Sequence, residues 1–257
     1  MLSALAGVGG AVVSTPGIRA LGATPIQSVG STVPAIIPGA ITGTLRYARE
    51  GLVIWRVGLT CGLAGAVTSL AGAWASDRVD GTLLMVLTAC LVLWSSVSVL
   101  RRPDPTARPV EVDEDVEPGH PASPHAPHAG PPAAAGSTAL LVVLGLGAGF
   151  VAGFLGVGGG IVLVPAFATF LRLDVKETIA TSLVAVALMS VASLTGHLLE
   201  SHVAWEFALP LMVGVIPGAR VGSKIAVTVS DRTMRLLCGW LLFVLGLAYL
   251  VSELVAA

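Results

Sequence analysis

Long apolar stretches alternate with short polar segments along most of this chain. The apolar stretches cover residues 1–18, 27–45, 52–75, 82–100, 137–171, 178–199, 205–227 and 233–251. Most of them have the roughly 20 residues that a helix needs to cross about 30 Å of hydrocarbon. The pattern therefore predicts an all-α polytopic membrane protein, with the lipid bilayer as its surroundings.

Composition agrees with this class and excludes others. Of the 257 residues, 54% are hydrophobic and 11% are charged, and the mean hydropathy is +0.89, whereas about 25% of the residues in a soluble domain are charged. The formal net charge of −1 gives no reason to expect a nucleic-acid partner. The three cysteines lie singly in apolar stretches, so neither a disulfide framework nor a metal site is predicted. No cofactor is expected either.

One glycine-rich motif occurs twice. A Gly-Val-Gly-Gly run starts at Gly7 and again at Gly156, and each copy leads to a proline, Pro16 or Pro165, nine residues later. Each glycine inside a helix costs about 1 kcal/mol relative to alanine, so the motif predicts a break in the helix. Such a break within a membrane is tolerated only where protein buries it or where it lines a cavity. Breaks at corresponding positions of two halves point to the binding site of a transporter.

The similarity between the two halves extends beyond the glycines. The run Gln27–Thr32 parallels Glu177–Ser182, and Trp55 parallels Trp205. Because both the order and the spacing of these features persist, we infer a duplicated unit of about four hydrophobic segments, the first of them broken by glycine.

This duplication divides the chain into a first transmembrane repeat (1–100), a linker (101–136) and a second transmembrane repeat (137–257). In the second repeat 19 residues precede Gly156, whereas only six precede Gly7. By the symmetry of the two copies, we expect about 13 residues to be missing from the start of the first repeat.

The linker has the composition of a disordered segment. Nine of the 16 prolines lie in residues 103–136, together with an acidic run between residues 111 and 117 and three histidines. A segment of this kind cannot bury a core. We expect it to supply reach and solubility, and no chemistry.

Two topologies are compatible with the segment 137–171. As one helix its 35 residues would extend about 52 Å, too far for a single straight crossing. If the segment crosses once, the repeats are parallel and the Lys and Arg residues divide almost evenly between the two sides. If it enters, breaks at the glycines and returns, the repeats are inverted, and one side keeps only Arg19 and Arg78. Because cytoplasmic loops carry the excess of basic residues, we favour inverted repeats with the linker in the cytoplasm.

The candidate substrate-binding residues combine bare backbone with hydrogen-bond donors. Glycines at a half-helix N-terminus expose N–H groups that can bind an anion, and hydroxyl groups can add donors. Close helix packing is the alternative for the glycines, and a bond to the residue's own helix is the alternative for the hydroxyls. The candidates are Gly7, Gly9, Gly10, Ser31, Thr32, Gly156, Gly158, Gly159, Gly160, Thr181, Ser182 and Arg220.

Two ionisable residues of the second repeat need separate comment. Arg220 lies about two turns inside an apolar stretch, where a charge is a functional hypothesis by default, although snorkelling to the surface is the alternative. His197, at the end of another stretch, is expected at the membrane interface. Asp and Glu are absent from the middle of the apolar stretches, so the sequence predicts neither a carboxylate proton relay nor a sodium site.

Apart from the linker, nearly the whole chain resembles the sulfite exporter TauE/SafE family of membrane transporters, also called toluene-sulfonate uptake permeases, and the resemblance is most specific in the second repeat. The resemblance rests on the runs Gly153–Pro165 and Ala180–Leu183 and on a Trp-led span with Gly214, Gly218 and Gly222. The first repeat departs from this pattern, since Ala11 replaces the third consecutive glycine and Ser31-Thr32 reverses the Thr-Ser order. The resemblance implies secondary transport of a small, sulfur-containing anion such as sulfite or a sulfonate across the plasma membrane.

Two other functions remain open. An anion channel is the closer alternative, because glycine-rich re-entrant segments also build selectivity filters. An intramembrane enzyme is less favoured, since the apolar stretches contain no nucleophile with a base, no carboxylate pair and no metal cluster. We therefore predict no catalytic residue. The sequence leaves open the substrate, the direction of transport, the coupling ion and whether the chain forms a homo-oligomer.

Overall fold

The computed structural model describes residues 11–101, 137–171 and 173–256, and all regular structure in these ranges is helical. The all-α fold class is thus confirmed. Gly7, Gly9 and Gly10 and nearly all of the linker lie outside the described residues. The helices are α1 (Ala11–Ala20), α2 (Pro25–Arg49), α3 (Trp55–Ser76), α4 (Gly81–Leu100), α5 (Thr138–Leu155), α6 (Gly160–Phe170), α7 (Val175–Leu199), α8 (Trp205–Thr228) and α9 (Asp231–Ala256).

Five of the described helices are long and apolar enough to cross a membrane, namely α3, α4, α5, α7 and the Arg232–Val251 part of α9. This agrees with a multi-pass membrane protein. The helices α2 and α8, with 25 and 24 residues, fall outside this group, and each has two prolines in its interior. More than half of α2 is buried among other helices, so α2 needs little lipid-facing surface.

The glycine motif separates α5 from α6. Leu155 is the last residue of α5, and its C-cap Gly156 has a φ of 64°. Gly158 and Gly159 have φ values of 82° and 71°, a region in which residues with a Cβ are strained. The helix resumes at Gly160. The predicted break therefore exists, and three positive φ angles within four residues produce it.

A seam of small residues holds α3 against α5. A Cβ added to any of three glycines on α5 would overlap the backbone of α3, so the two backbones are in direct contact. Small residues four positions apart permit this close approach in membrane helices. The contacts advance together along both helices, so α3 and α5 are parallel. The pairs are Cys61 with Gly145, Gly65 with Gly149 and Ser69 with Gly153.

The helix α7 is also parallel to α3. Gly58, near the start of α3, lies against Val184 of α7, and further along both helices the Ser69 hydroxyl donates to the Met189 carbonyl at 3.0 Å. Since α5 and α7 run in the same direction, α6 must bring the chain back to the level at which α5 began. Leu171, directly after α6, belongs to the same buried cluster as Leu141 of the first turn of α5.

The corresponding helices of the two halves run in opposite directions. Gly30, near the start of α2, packs on His202, just beyond the end of α7, whereas Ile54, beyond the end of α2, contacts Thr181, near the start of α7. By the same reasoning α2 is parallel to α8, and α4 is antiparallel to α9, where Ser96 donates to the Gly239 carbonyl at 2.8 Å.

These directions define two ends of the helix bundle. One end holds the C-termini of α2, α4, α6 and α8 and the N-termini of α3, α5, α7 and α9, and we call it the basic end. Among the described residues, Arg19 and Arg78 are the only Lys or Arg residues at the opposite end. The basic end has Arg46, Arg49, Arg56, Arg101, Lys176, Arg220, Lys224, Arg232 and Arg235.

Candidate functional site

The glycine break is completely buried between α2, α5 and α7. A Cβ at Gly156 would overlap Val29 of α2, and one at Gly158 would lie 3.2 Å from Ile36 on the same helix. At Gly159 a Cβ would lie 3.0 Å from the Met189 sulfur of α7. The break is therefore enclosed by protein, as broken backbone at membrane depth requires.

The N-terminus of α6 starts inside this enclosure. Its N-cap is Gly159, and no side chain caps the helix. The first N–H groups of a helix lack partners within the helix, and the helix dipole places partial positive charge there. Gly160, the first residue of α6, is buried, as is its N-cap Gly159. The arrangement is compatible with an anion site, and the assignment of Gly156, Gly158, Gly159 and Gly160 to such a site stays a prediction.

Two of the predicted hydroxyl donors serve as acceptors between the halves. The Ser31 hydroxyl of α2 accepts the backbone N–H of Ala204 at 2.8 Å. The Thr181 hydroxyl of α7 accepts the backbone N–H of Ile54 at 3.1 Å. Each N–H belongs to the residue that precedes a Trp-led helix. Both side chains thus fix the start of a helix in the other half of the chain.

The other two hydroxyl candidates bind their own helices. Thr32 donates to the Val29 carbonyl at 2.8 Å and lies 3.3 Å from the Gly156 carbonyl. Ser182 donates to the Ile179 carbonyl at 2.9 Å. Thr32 is the predicted hydroxyl that the structure places directly at the glycine break.

Arg220 lies away from the glycine break, in an open cleft between α2 and α8 at the basic end, which we call the basic cleft. The cleft has a volume of about 380 Å³ and contains four basic side chains, those of Arg46, Arg49, Arg220 and Lys224. Glu50 pairs with Arg46 at 2.8 Å. Among the described residues, no carboxylate lies within ion-pair distance of the other three. The sequence did not suggest that α2 would supply two of the four charges.

A groove with the equivalent position lies at the opposite end, between α7 and α3. Its lining residues are offset by about 150 positions from those of the cleft that contains Arg220, the offset predicted from the sequence for the two repeats. The cleft has Arg220, Lys224, Arg46 and Arg49, and the groove has, at the corresponding positions in the same order, Leu70, Trp74, Gly196 and Leu199. One groove is therefore cationic, and its counterpart is mainly apolar.

A chain of polar groups at the opposite end was missed by sequence reasoning. His197 is fully buried, contrary to the interfacial position expected for it. Its Nε2 lies 3.1 Å from the Gly153 carbonyl, and its Nδ1 lies 3.2 Å from Nδ1 of His202. The Nε2 of His202 in turn lies 3.0 Å from Oδ1 of Asp77. The three side chains come from the ends of α3 and α7 and the start of the following loop, so only the fold brings them together.

Comparison with known proteins adds the family. The model of the family described as Sulfite exporter TauE/SafE matches residues 1–249. The chain belongs to this family. Since TauE/SafE proteins are membrane transporters, the several apolar helices of a multi-pass membrane protein agree with the family.

Curated relatives of this TauE/SafE chain have the same general description. It is 24% identical over 254 residues to "Probable membrane transporter protein YunE" of Bacillus subtilis, covering 95% of this chain and 91% of that protein. It is 26% identical over 229 residues to a "Probable membrane transporter protein" of Xylella fastidiosa, with coverages of 88% and 80%. It is 21% identical over 234 residues to "Probable membrane transporter protein MJ0441" of Methanocaldococcus jannaschii, with coverages of 87% and 79%. No solved structure matches the chain.

Proposed function

We propose that this protein is a secondary transporter that moves a small anion, with sulfur-containing anions such as sulfite or a sulfonate as its substrates, across the plasma membrane. Its two halves form inverted repeats, and the basic end, with the linker 101–136, lies in the cytoplasm. The family supports transport, and the cation distribution supports this orientation, since cytoplasmic loops carry the excess of Lys and Arg.

The observation that carries the anion proposal is the basic cleft. Arg49, Arg220 and Lys224 share it without a carboxylate partner among the described residues, so the field at the cleft is positive. Clefts of one sign of charge raise the local concentration of the opposite ion. The groove at the opposite end is lined mainly by apolar side chains, so the concentration of positive charge is a property of the basic end.

The glycine break supplies the second element of the proposal. The break lies where α2 of the first half and the antiparallel α7 of the second half approach each other. A Cβ added at Gly158 would lie 3.2 Å from Ile36 of α2 and 3.3 Å from Val186 of α7. In transporters with inverted repeats, substrates bind near such discontinuous helices, and one half rocks against the other around the site. We place the bound anion at the N-terminus of α6, with the basic cleft as its route from the cytoplasmic side.

An uptake assay with the purified protein in proteoliposomes tests this function. A carrier gives saturable uptake and accelerates exchange when unlabelled substrate is trapped inside. We expect this behaviour for at least one anion among sulfite, thiosulfate, an alkyl sulfonate and an aryl sulfonate, with chloride and phosphate as controls. Flux that neither saturates nor shows counterflow would identify an anion channel instead. Equal uptake of all anions would contradict the substrate class.

A further inference from the structure

The polar chain at the opposite end has a defined number of protons. A carbonyl oxygen can only accept, so the contact between His197 and Gly153 requires a proton on Nε2 of His197. A carboxylate also accepts, so the contact between His202 and Asp77 requires a proton on Nε2 of His202. The two Nδ1 atoms, 3.2 Å apart, then form a hydrogen bond only if one of them carries a third proton.

This third proton makes one of the two rings an imidazolium. Because His202 lies beside the carboxylate of Asp77, His202 is the cationic ring, and it donates from Nδ1 to the neutral His197. The group as a whole is then neutral, with one positive and one negative charge. Without the third proton two lone pairs would face each other at 3.2 Å, so the rings would have to separate.

The group connects water to the buried glycine break. The side chain of Asp77 is 48% exposed and that of His202 is 7% exposed, whereas His197 is fully buried. The Gly153 carbonyl belongs to the last turn of α5, whose final carbonyls lack helix partners because the chain breaks at Gly156. His197 caps the helix at this point, so the pair of histidines is joined by a hydrogen bond to the end of the helix that precedes the break.

Few other charged groups lie near the two histidines, His197 and His202. Arg78, the neighbour of Asp77, is held by Trp74, to whose carbonyl it donates at 2.6 Å and over whose ring it stacks at 3.3 Å. Glu200 borders the apolar groove at this end. Gly30 of α2 packs against the His202 backbone and brings no charge.

The group also occurs in only one half of the duplicated chain. The positions 150 residues away from His197, His202 and Asp77 are Tyr47, Leu52 and Val227. This one-sided occurrence matches a function that distinguishes the two sides of the membrane.

We propose that Asp77, His202 and His197 form a proton-binding site that takes one proton from the opposite end of the bundle and couples its binding to anion transport. The ligand is H⁺, which enters at the Asp77–His202 contact and resides between the two Nδ1 atoms. Release of the proton leaves the carboxylate and two neutral rings and removes the bond between His202 and His197. This coupling rests on the proposed transport function, whereas the proton site itself does not.

Proton binding can be measured without transport. Three of the five histidines lie in the linker, so replacing His120, His125 and His128 by alanine leaves only the pair. In this variant, labelled with ¹⁵N in its histidines, NMR between pH 5 and 8, the range in which histidine changes charge, should show one ring becoming an imidazolium while the other stays neutral. Asp77→Asn should move this transition to lower pH. Two rings that titrate independently, or a transition unaffected by Asp77→Asn, would overturn the site.

The coupling of proton binding to anion transport is measured by anion uptake with and without a proton gradient. The gradient is directed inward, with the lower pH on the side that the opposite end of the bundle faces. We expect the gradient to stimulate the wild-type protein, and His202→Gln to reduce the stimulated component about tenfold, within the usual range of coupling between two sites. A monodisperse elution profile and a cooperative thermal transition of purified His202→Gln should show that the variant is folded. A wild-type protein with counterflow but without gradient stimulation would overturn the coupling alone. Absence of counterflow in the wild-type protein would instead refute the proposed transport function.

Discussion

The hydroxyl of Ser31 in the first half of the chain accepts the backbone N–H of Ala204 in the second half at 2.8 Å. Exchanging the halves reproduces the contact, since Thr181 accepts the N–H of Ile54 at 3.1 Å. Each bond anchors the residue before a Trp-led helix, α8 or α3. The two contacts therefore tie the halves together at both ends of the bundle.

Removing the first of these hydroxyls should destabilise the protein. Ser31→Ala leaves the Ala204 N–H in a partly buried position without its acceptor, a loss of about 1 kcal/mol. The thermal midpoint of the purified protein in detergent should fall. Ser31→Thr is the matched control, because threonine makes the equivalent bond at position 181. Identical midpoints for the alanine and threonine variants would show that the bond contributes nothing.

The seam between α3 and α5 should not tolerate a methyl group. Gly149→Ala places a Cβ on the backbone of Gly65, and overpacking of this kind typically costs about 1–3 kcal/mol. Gly147→Ala on the same helix meets no atom within 4 Å, so it should be neutral or slightly stabilising. Thermal unfolding and expression of the two variants test this contrast. Equal behaviour would mean that the helices separate at little cost.

At the glycine break, a side chain should impair transport more than folding. Gly159→Ala strains a residue at a φ of 71° and narrows the space beside Met189, and Gly159→Val should have a larger effect. Uptake per folded molecule should fall in the order wild type, alanine, valine.

A cysteine in the same segment distinguishes a binding site from mere packing. In Gly158→Cys, bound substrate should slow alkylation of the thiol. If the motif serves only packing, both Gly159 variants should lose thermal stability and expression together while uptake per folded molecule is preserved, and substrate should give no protection.

The basic cleft predicts a specific role for Arg220. Arg220→Ala removes a charge from the anion's proposed route, and uptake should fall at least tenfold, equivalent to about 1.4 kcal/mol. Arg56→Ala removes one charge from the same end of the bundle, where the Arg56 side chain is close to Thr138 and outside the cleft. It should leave uptake within about twofold. Normal uptake by Arg220→Ala would favour the snorkelling interpretation of this residue.

The orientation can be tested with single cysteines in a background without Cys90, the exposed cysteine of the described residues. Ser123→Cys, in the linker, should resist a membrane-impermeant thiol reagent added to intact cells, because the basic end faces the cytoplasm. Leu21→Cys lies in an exposed turn at the opposite end and should react rapidly. The reverse pattern would invert the proposed orientation.

Much of the fold could be predicted from the sequence. The apolar stretch 205–227 became α8 (Trp205–Thr228), and the stretch 82–100 became α4 (Gly81–Leu100). The break at Gly156 was also predictable, because the glycines lower the local helix propensity whatever surrounds them. The small residues at Gly145, Gly149 and Gly153 gave a signal that was overlooked, since their four-residue spacing is typical of a helix seam.

The candidate site was only partly predictable. The sequence predicts the glycines and hydroxyls as donors, yet Ser31 and Thr181 accept backbone N–H groups from distant segments. Arg220 was singled out, but its neighbours Arg46 and Arg49 come from a helix more than 170 positions earlier. His197 was expected at the interface, because its partners His202 and Asp77 give no local pattern.

The sequence by itself determined the membrane class, the family and the positions of the helices and of the break, because hydropathy and glycine content act locally. The tertiary structure decided which polar groups meet. Antiparallel packing of α2 on α7 brings the end of each of these helices to the start of the other, and the parallel packing of α3, α5 and α7 brings Asp77, His202, His197 and the Gly153 carbonyl to one end. Such contacts depend on helix direction and on packing between helices, and a linear pattern of residues does not contain that information.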